Sequence, residues 1–228
     1  MSEATRLPLA PGASALAEIK PRLRGWLHTY AVFVFSAAGV SLIAVAGAMH
    51  GARAGWPTAI YALTVTGLFG TSALYHRCTW SPGARALMAR TDHSMIFVFI
   101  AGTYTPVAVM TLPRTTAIVV LSVVWAGALV GVFLKLAWIT APRWLAVPCY
   151  IALGWVAAFI VPDLLHHAGV AAVVLLFTGG AVYTLGALVY GFKRPNPFPR
   201  TFGFHEVFHA CTLVAATAHY IAIWFCVF

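Results

Sequence analysis

Long apolar runs alternate along the chain with short polar segments rich in proline, glycine and basic residues. A helix needs about 20 mainly apolar residues to cross the hydrocarbon core of a bilayer, and runs of that order lie at roughly 27–49, 57–76, 88–110, 115–137, 144–162, 170–192 and 204–227. Pro57 and Pro142 stand where a helix would begin, since the fixed φ of proline suits a first turn. Ser81-Pro82-Gly83 separates the second run from the third, and the stretch Pro195-Asn196-Pro197-Phe198-Pro199 is a stiff connector before the last. Pro106 and Pro148 fall inside runs, where membrane helices tolerate a kink. The pattern predicts an all-α fold: a bundle of seven transmembrane helices over residues 27–228, preceded by a tail over residues 1–26. That tail carries Pro8, Pro11 and Pro21 among scattered charges and has no apolar core before Trp26. It reads as a segment at the membrane surface rather than a cleaved signal.

Composition agrees with the pattern. The 228 residues are 61% hydrophobic and 8% charged, whereas a soluble domain is roughly a quarter charged. Charge adds an orientation. Arg6, Lys20, Arg22 and Arg24 precede the first run, Arg77, Arg85 and Arg90 follow the second, Lys135 and Arg143 bracket the fourth connector, and Lys193, Arg194 and Arg200 lie before the last run. Only Arg53 and Arg114 fall on the opposite side. The bias of basic residues toward the cytoplasm then puts the amino terminus inside and the carboxyl terminus outside, which an odd number of spans requires. The net charge of +9 is accounted for by a cytoplasmic rim facing anionic lipid headgroups, and no nucleic-acid partner is expected. Trp26, Trp56, Trp80 and Trp144 sit near run ends, as an interfacial aromatic belt does. The four cysteines form no C-x-x-C pair and are expected to be small buried hydrophobes without disulfides.

Ionisable groups inside membrane spans are costly and usually functional. Of the five acidic residues, Glu3 and Glu18 lie in the tail and Asp163 in an outer connector, which leaves Asp92 early in the third run and Glu206 early in the seventh. His205 and His209 are four apart and share a helix face. His76 ends the second run, with Ser72 one turn deeper on the same face. The second run ends at the inner boundary and the third and seventh begin there, so Ser72, His76, Asp92, His205 and His209 share one depth. Three imidazoles with a carboxylate make a zinc constellation. Three protein ligands leave a fourth tetrahedral position for water, the pattern of catalytic sites. His76, His205 and His209 are assigned as ligands, Asp92 as the partner of the water, and Ser72 as a supporting or oxyanion-stabilising hydroxyl.

Other readings of these residues stay open at this stage. Paired histidines on an apolar helix are often hydrogen-bonded packing residues, and a serine in a helix often bonds its own backbone. His205-Glu206-Val207-Phe208-His209 also reads as H-E-x-x-H, the metalloprotease motif with glutamate as general base; that reading leaves Ser72, His76 and Asp92 unexplained, and the alternative for Glu206 is a pairing with a rim arginine. His93 is expected to pack, His219 to be a satisfied core histidine too far from His209 to share its metal, and His28, His50, His166 and His167 to lie near span ends or in a connector.

Three blocks together resemble the hemolysin III family, bacterial relatives of the progestin and adiponectin receptors that group with alkaline ceramidases among seven-span metal-dependent hydrolases. Ser72-Ala-Leu-Tyr-His76 looks like the family's S-x-x-x-H, Asp92-His-Ser-Met-Ile-Phe continuing to Ala101-Gly-Thr-Tyr-Thr-Pro106 looks like its third-span signature, and His205 to His209 looks like its H-x-x-x-H. The resemblance implies zinc on His76, His205 and His209, with Asp92 contacting its water. The expected function is hydrolysis of a lipid amide or ester at the cytoplasmic side of a bacterial inner membrane, with membrane lipids as partners. The alternative is a receptor or regulator of membrane state whose zinc is structural. Pore formation is disfavoured, because polarity gathers at one end of the runs instead of lining several of them.

Overall fold

The computed structural model describes residues 20–138 and 142–228, with only the backbone of Arg143; most of the expected tail, residues 1–19, lies outside the described residues. Among the described residues seven α-helices form: α1 (Trp26–His50), α2 (Ala52–Arg77), α3 (Pro82–Thr111), α4 (Arg114–Ala137), α5 (Arg143–Gly154), α6 (Val161–Phe192) and α7 (Phe204–Val227), with a 3-10 segment, Trp155–Ile160, joining α5 to α6. No named strand occurs among the described residues.

Helix starts and stops follow local chemistry. Pro82 opens α3 behind an extended Ser81, and Pro142 precedes α5. α2 begins before the expected Pro57, at Ala52, because Gly51 alone turns the chain: its φ of 62° and ψ of −152° are open to glycine, and its N–H still caps α1 on the Gly47 carbonyl at 2.9 Å. Several buried threonine hydroxyls are satisfied within their own helices. Thr58, Thr103, Thr105 and Thr111 each donate to the carbonyl four residues back.

Five stretches among the described residues are long and apolar enough to cross a membrane: α1, α3, α4, α7 and the single run Trp144–Phe192. α2 is not among them, since threonines, Ser72, His76 and Arg77 dilute it. The fifth and sixth expected spans appear as that one run of 49 residues, but the run is not straight. Gly169 leaves the helical region, with φ 76° and ψ 175°, and the chain folds back on itself there. Trp155 donates its indole N–H to Thr184 Oγ1 at 3.0 Å and packs edge-on to Phe177, while Val147 faces Gly191. Positions increasingly early before Gly169 therefore meet positions increasingly late after it, as in an antiparallel hairpin.

α3 is the central helix: 67% of its apolar window is buried, against 39% or less in the other four stretches. It packs on α2, α4, α5, α6 and α7, and α7 closes the ring against α1 and α6. Phe33, Leu63, Val130, Phe133, Phe159 and Val170 are instead strongly exposed on the outer surface. So large an apolar exterior suits lipid and not water, and the protein is a multi-pass membrane protein.

One end of the bundle gathers the basic segments. The backbone N–H groups of Arg22 and Leu23 donate to the carbonyls of Arg200 and Thr201, Arg90 donates to the Leu136 carbonyl, and the Arg77 guanidinium lies over the Trp26 ring. The starts of α1, α3 and α7 and the ends of α2, α4 and α6 thus share one rim, and the polar side chains singled out in the sequence lie just beneath it.

Candidate metal centre

Two helices supply the three imidazoles. α7 opens with His205 and His209 one turn apart on one face, and α2 closes with His76 opposite them. His76 Nε2 and His205 Nε2 are 3.2 Å apart, and the ring centroids of the three histidines are separated by 4.5 to 5.1 Å. One ring nitrogen from each lies within 4.8 Å of both others. Zinc–nitrogen bonds of about 2.0–2.1 Å in a tetrahedral shell place two ligand nitrogens about 3.3 Å from each other. The donor set, its spacing and its burial therefore fit a zinc ion with small adjustments of the rings.

The expected supporting residues arrive at the same place. Ser72 and His76 lie on one face of α2, and Ser72 is buried. Its hydroxyl sits 2.8 Å from His28 Nδ1. Asp92 reaches the site from α3, with Oδ2 3.8 Å from His93 Nδ1. His93 itself bonds the Ala89 carbonyl through Nδ1 and faces the Tyr190 hydroxyl through Nε2, so it packs beside the site as expected.

Glu206 is spoken for. It is 1% exposed; Arg24 Nε donates to one carboxylate oxygen and the Gly203 N–H to the other at 2.8 Å. The carboxylate caps α7 and neutralises an arginine of the rim, so both oxygens needed by the metalloprotease reading are engaged elsewhere. His219, ten residues beyond His209 on α7, bonds the Leu176 carbonyl at 3.1 Å and takes no part in the cluster. His50 packs on Phe228, and His166 on His167.

The segment leading into α1 covers the cluster from the rim. Lys20 Nζ donates to the His76 carbonyl at 2.6 Å, and Gly25, with φ 83°, passes so close to His76 that a Cβ there would meet the histidine Cβ at 2.7 Å. Burial, then the neighbouring Arg77, Arg85 and Arg24, hold the Lys20 ammonium below its ordinary pKa. On its other side the cluster faces a largely apolar cavity between α3, α5, α6 and α7, walled by Ile96, Ile100, Val147, Ile151, Tyr183 and Phe208 among others. Asp92, Ser72, His205 and His209 line its inner end. The cavity continues to the level of His219, about 15 Å along α7 at 1.5 Å per residue, which is half the thickness of the hydrocarbon core.

Comparison with known proteins agrees with the blocks in the sequence. The family described as haemolysin-III related matches residues 16–220. The chain belongs to the haemolysin III family. Its haemolysin III relatives include a hemolysin-3 homolog of Bacillus subtilis (strain 168), 30% identical over 166 residues that cover 73% of this chain and 75% of that protein. Hemolysin-3 of Bacillus cereus is 28% identical over 182 residues, covering 78% of this chain and 80% of its own. The haemolysin III match takes in α1, α2 and α3 and runs into α7 past both of its cluster histidines.

Reading the sequence missed one member of this haemolysin III site. His28, assigned to a span end, lies 3% exposed in α1 with its ring stacked on His209, centroids 3.8 Å apart and planes within 6°. Its Nδ1 meets the Ser72 hydroxyl at 2.8 Å, and its Nε2 is buried. The signal was present: His28 stands just inside the inner end of the first run, at the depth used to group the other five residues. Arg24, the partner of Glu206, lies in a stretch with no period to read.

Proposed function

We propose that this haemolysin III protein is a zinc-dependent hydrolase of the membrane, acting on an amide or ester bond of a lipid. The convergence of His76, His205 and His209 at the inner end of an apolar cavity carries the reading. In this reading the chain crosses a bacterial inner membrane seven times, with its amino terminus in the cytoplasm and the cluster beneath the cytoplasmic leaflet. The basic rim supports that orientation, and the hairpin about Gly169 supports two crossings within Trp144–Phe192.

His76, His205 and His209 would hold the ion. When bound, zinc supplies a Lewis acid that polarises a carbonyl oxygen and lowers the pKa of a water molecule. Asp92 takes up a proton at its carboxylate, and Ser72 Oγ steadies that carboxylate. Ile96, Ile100, Val147 and Phe208 exclude bulk water and receive the lipid chain. The segment around Lys20 and Gly25 covers the cluster toward the cytoplasm, which leaves sideways entry from the bilayer for the substrate.

Detergent-purified protein is expected to contain zinc and to release fatty acid from one member of a panel of ceramides and other lipid amides and esters. Asp92→Ala should keep the zinc and lose activity by about 100-fold or more, as for a general base. Full turnover by Asp92→Ala would remove the mechanism. The second reading, a non-enzymatic regulator with zinc as a staple, is favoured by the way the cluster joins the end of α2 to the start of α7. A parent without turnover, together with a lower unfolding temperature in His209→Ala, would select it.

A further inference from the structure

We infer that His28 is a positioning residue of the metal centre, setting the ring plane of His209 and the hydroxyl direction of Ser72. The inference rests on the metal-binding reading above and adds a fourth imidazole that holds no metal.

The geometry leaves His28 little freedom. One face of its ring lies flat against His209 at 3.8 Å, and the edge of Phe69 meets it at 4.9 Å and 66°. Phe69 is fully buried and is itself pinned by Phe35. His209 therefore cannot turn about its side-chain axis without displacing a ring that Phe69 also holds. A metal ligand held in one orientation loses less entropy on binding than one free to rotate, and such supporting contacts are typically worth 10- to 100-fold in metal affinity.

The polar edge of the ring acts on a different residue. Ser72 Oγ has one hydrogen to give; it stands 2.8 Å from His28 Nδ1, and Asp92 lines the same cavity. An ionised carboxylate only accepts. With the proton on Nδ1, His28 donates to Ser72 Oγ and leaves the serine hydrogen free for an acceptor such as the Asp92 carboxylate. The run His28 to Ser72 to Asp92 fixes the carboxylate from α1 through α2 to α3. A leucine or phenylalanine would fill the same space between Phe69 and His209 without that hydrogen bond, so packing alone does not account for histidine here.

The test compares the full-length parent with His28→Ala, His28→Phe and His28→Asn in detergent. Zinc affinity is read by competition with a chelator, and site geometry by the visible absorption of the cobalt(II)-loaded protein. His28→Ala should bind zinc about 10- to 100-fold more weakly and shift the cobalt bands. His28→Phe, which restores the flat ring on His209, should recover most of the affinity. His28→Asn, which restores a donor to Ser72 without the ring, should remain weak. A His28→Ala protein matching the parent in affinity and spectrum overturns the inference, and so does an equal loss in all three variants, which would mark a packing defect. If the parent binds neither ion, the metal-centre reading falls and this inference with it; if the parent binds and the variants do not differ from it, only this inference falls.

Discussion

Glu206 shows how a single side chain decides between readings of one motif. Within H-E-x-x-H it could have been a base, but it is buried against Arg24 and the Gly203 N–H. Its negative charge at the first turn of α7 also suits the helix dipole. Glu206→Gln should therefore leave zinc content unchanged, whereas His209→Ala should remove most of it, as read by elemental analysis of purified protein. Arg24→Ala strands a buried carboxylate. A cost of about 3 kcal/mol is expected, the low end for breaking such a pair because Arg24 remains 20% exposed, and the Arg24→Ala/Glu206→Gln double variant should be milder. Unfolding temperatures in detergent would check both. At this scale the sequence was legible wherever spacing or depth constrained it. His205 and His209 share a face by periodicity, and His76, Ser72 and Asp92 share a depth by counting spans. His28 obeyed the same depth rule but lacked a helical partner in sequence, and Arg24 finds Glu206 only through the path of an aperiodic segment.

Helices in a membrane gain little from hiding apolar surface from one another, and they rely on close approach at small residues instead. Here that approach is written in particular pairs. A Cβ at Gly102 of α3 would lie 2.1 Å from Thr64 Oγ1 of α2, one at Gly131 of α4 would run into the Phe97 ring of α3, and one at Gly179 of α6 would strike His219. Thr64 has no easy retreat, because it is β-branched and its hydroxyl bonds the Tyr61 carbonyl at 2.9 Å. Gly102→Ala should lower stability by about 1–3 kcal/mol, while Gly70→Ala, where a Cβ meets nothing within 4 Å, should not. Thermal unfolding of the two variants side by side separates them. Helix existence was plain from the apolar runs, since length alone demands it. Which glycines mark contacts was not, because the partner of each lies on another helix. The extension of α2 before Pro57 was hidden for a related reason: a proline near the start of a helix reads as its first residue unless the turn at Gly51 is known.

For the whole molecule the open quantity is the number of crossings. Five crossings and seven place the termini identically, because both are odd, so a reporter at either end cannot separate them. The internal connectors can. If Trp144–Phe192 crossed once, residues 166 and 167 would lie inside the bilayer. If the run folds at Gly169 and crosses twice, they stand at the outer surface, opposite the rim that carries Arg194. The contacts of Trp155 with Thr184 and Phe177, and of Val147 with Gly191, show that the run is folded back and is not one straight helix. In the proposed reading α2 crosses as well, with Arg53 outside and Cys78 inside, and its weak apolarity follows from the polar side chains it turns to His28 of α1 and His205 of α7. Labelling of intact cells with a membrane-impermeant maleimide tests both. Cys78, exposed at the rim, should stay unlabelled until the cells are opened. Cysteine at position 167 (His167→Cys) or 53 (Arg53→Cys) should label from outside, and at position 194 (Arg194→Cys) only after opening. Protection of position 167 in intact and opened cells alike would bury it in the bilayer. The hairpin would then not be two crossings, and the apolar wall that α5 and α6 give the cavity would have to be rebuilt from other helices.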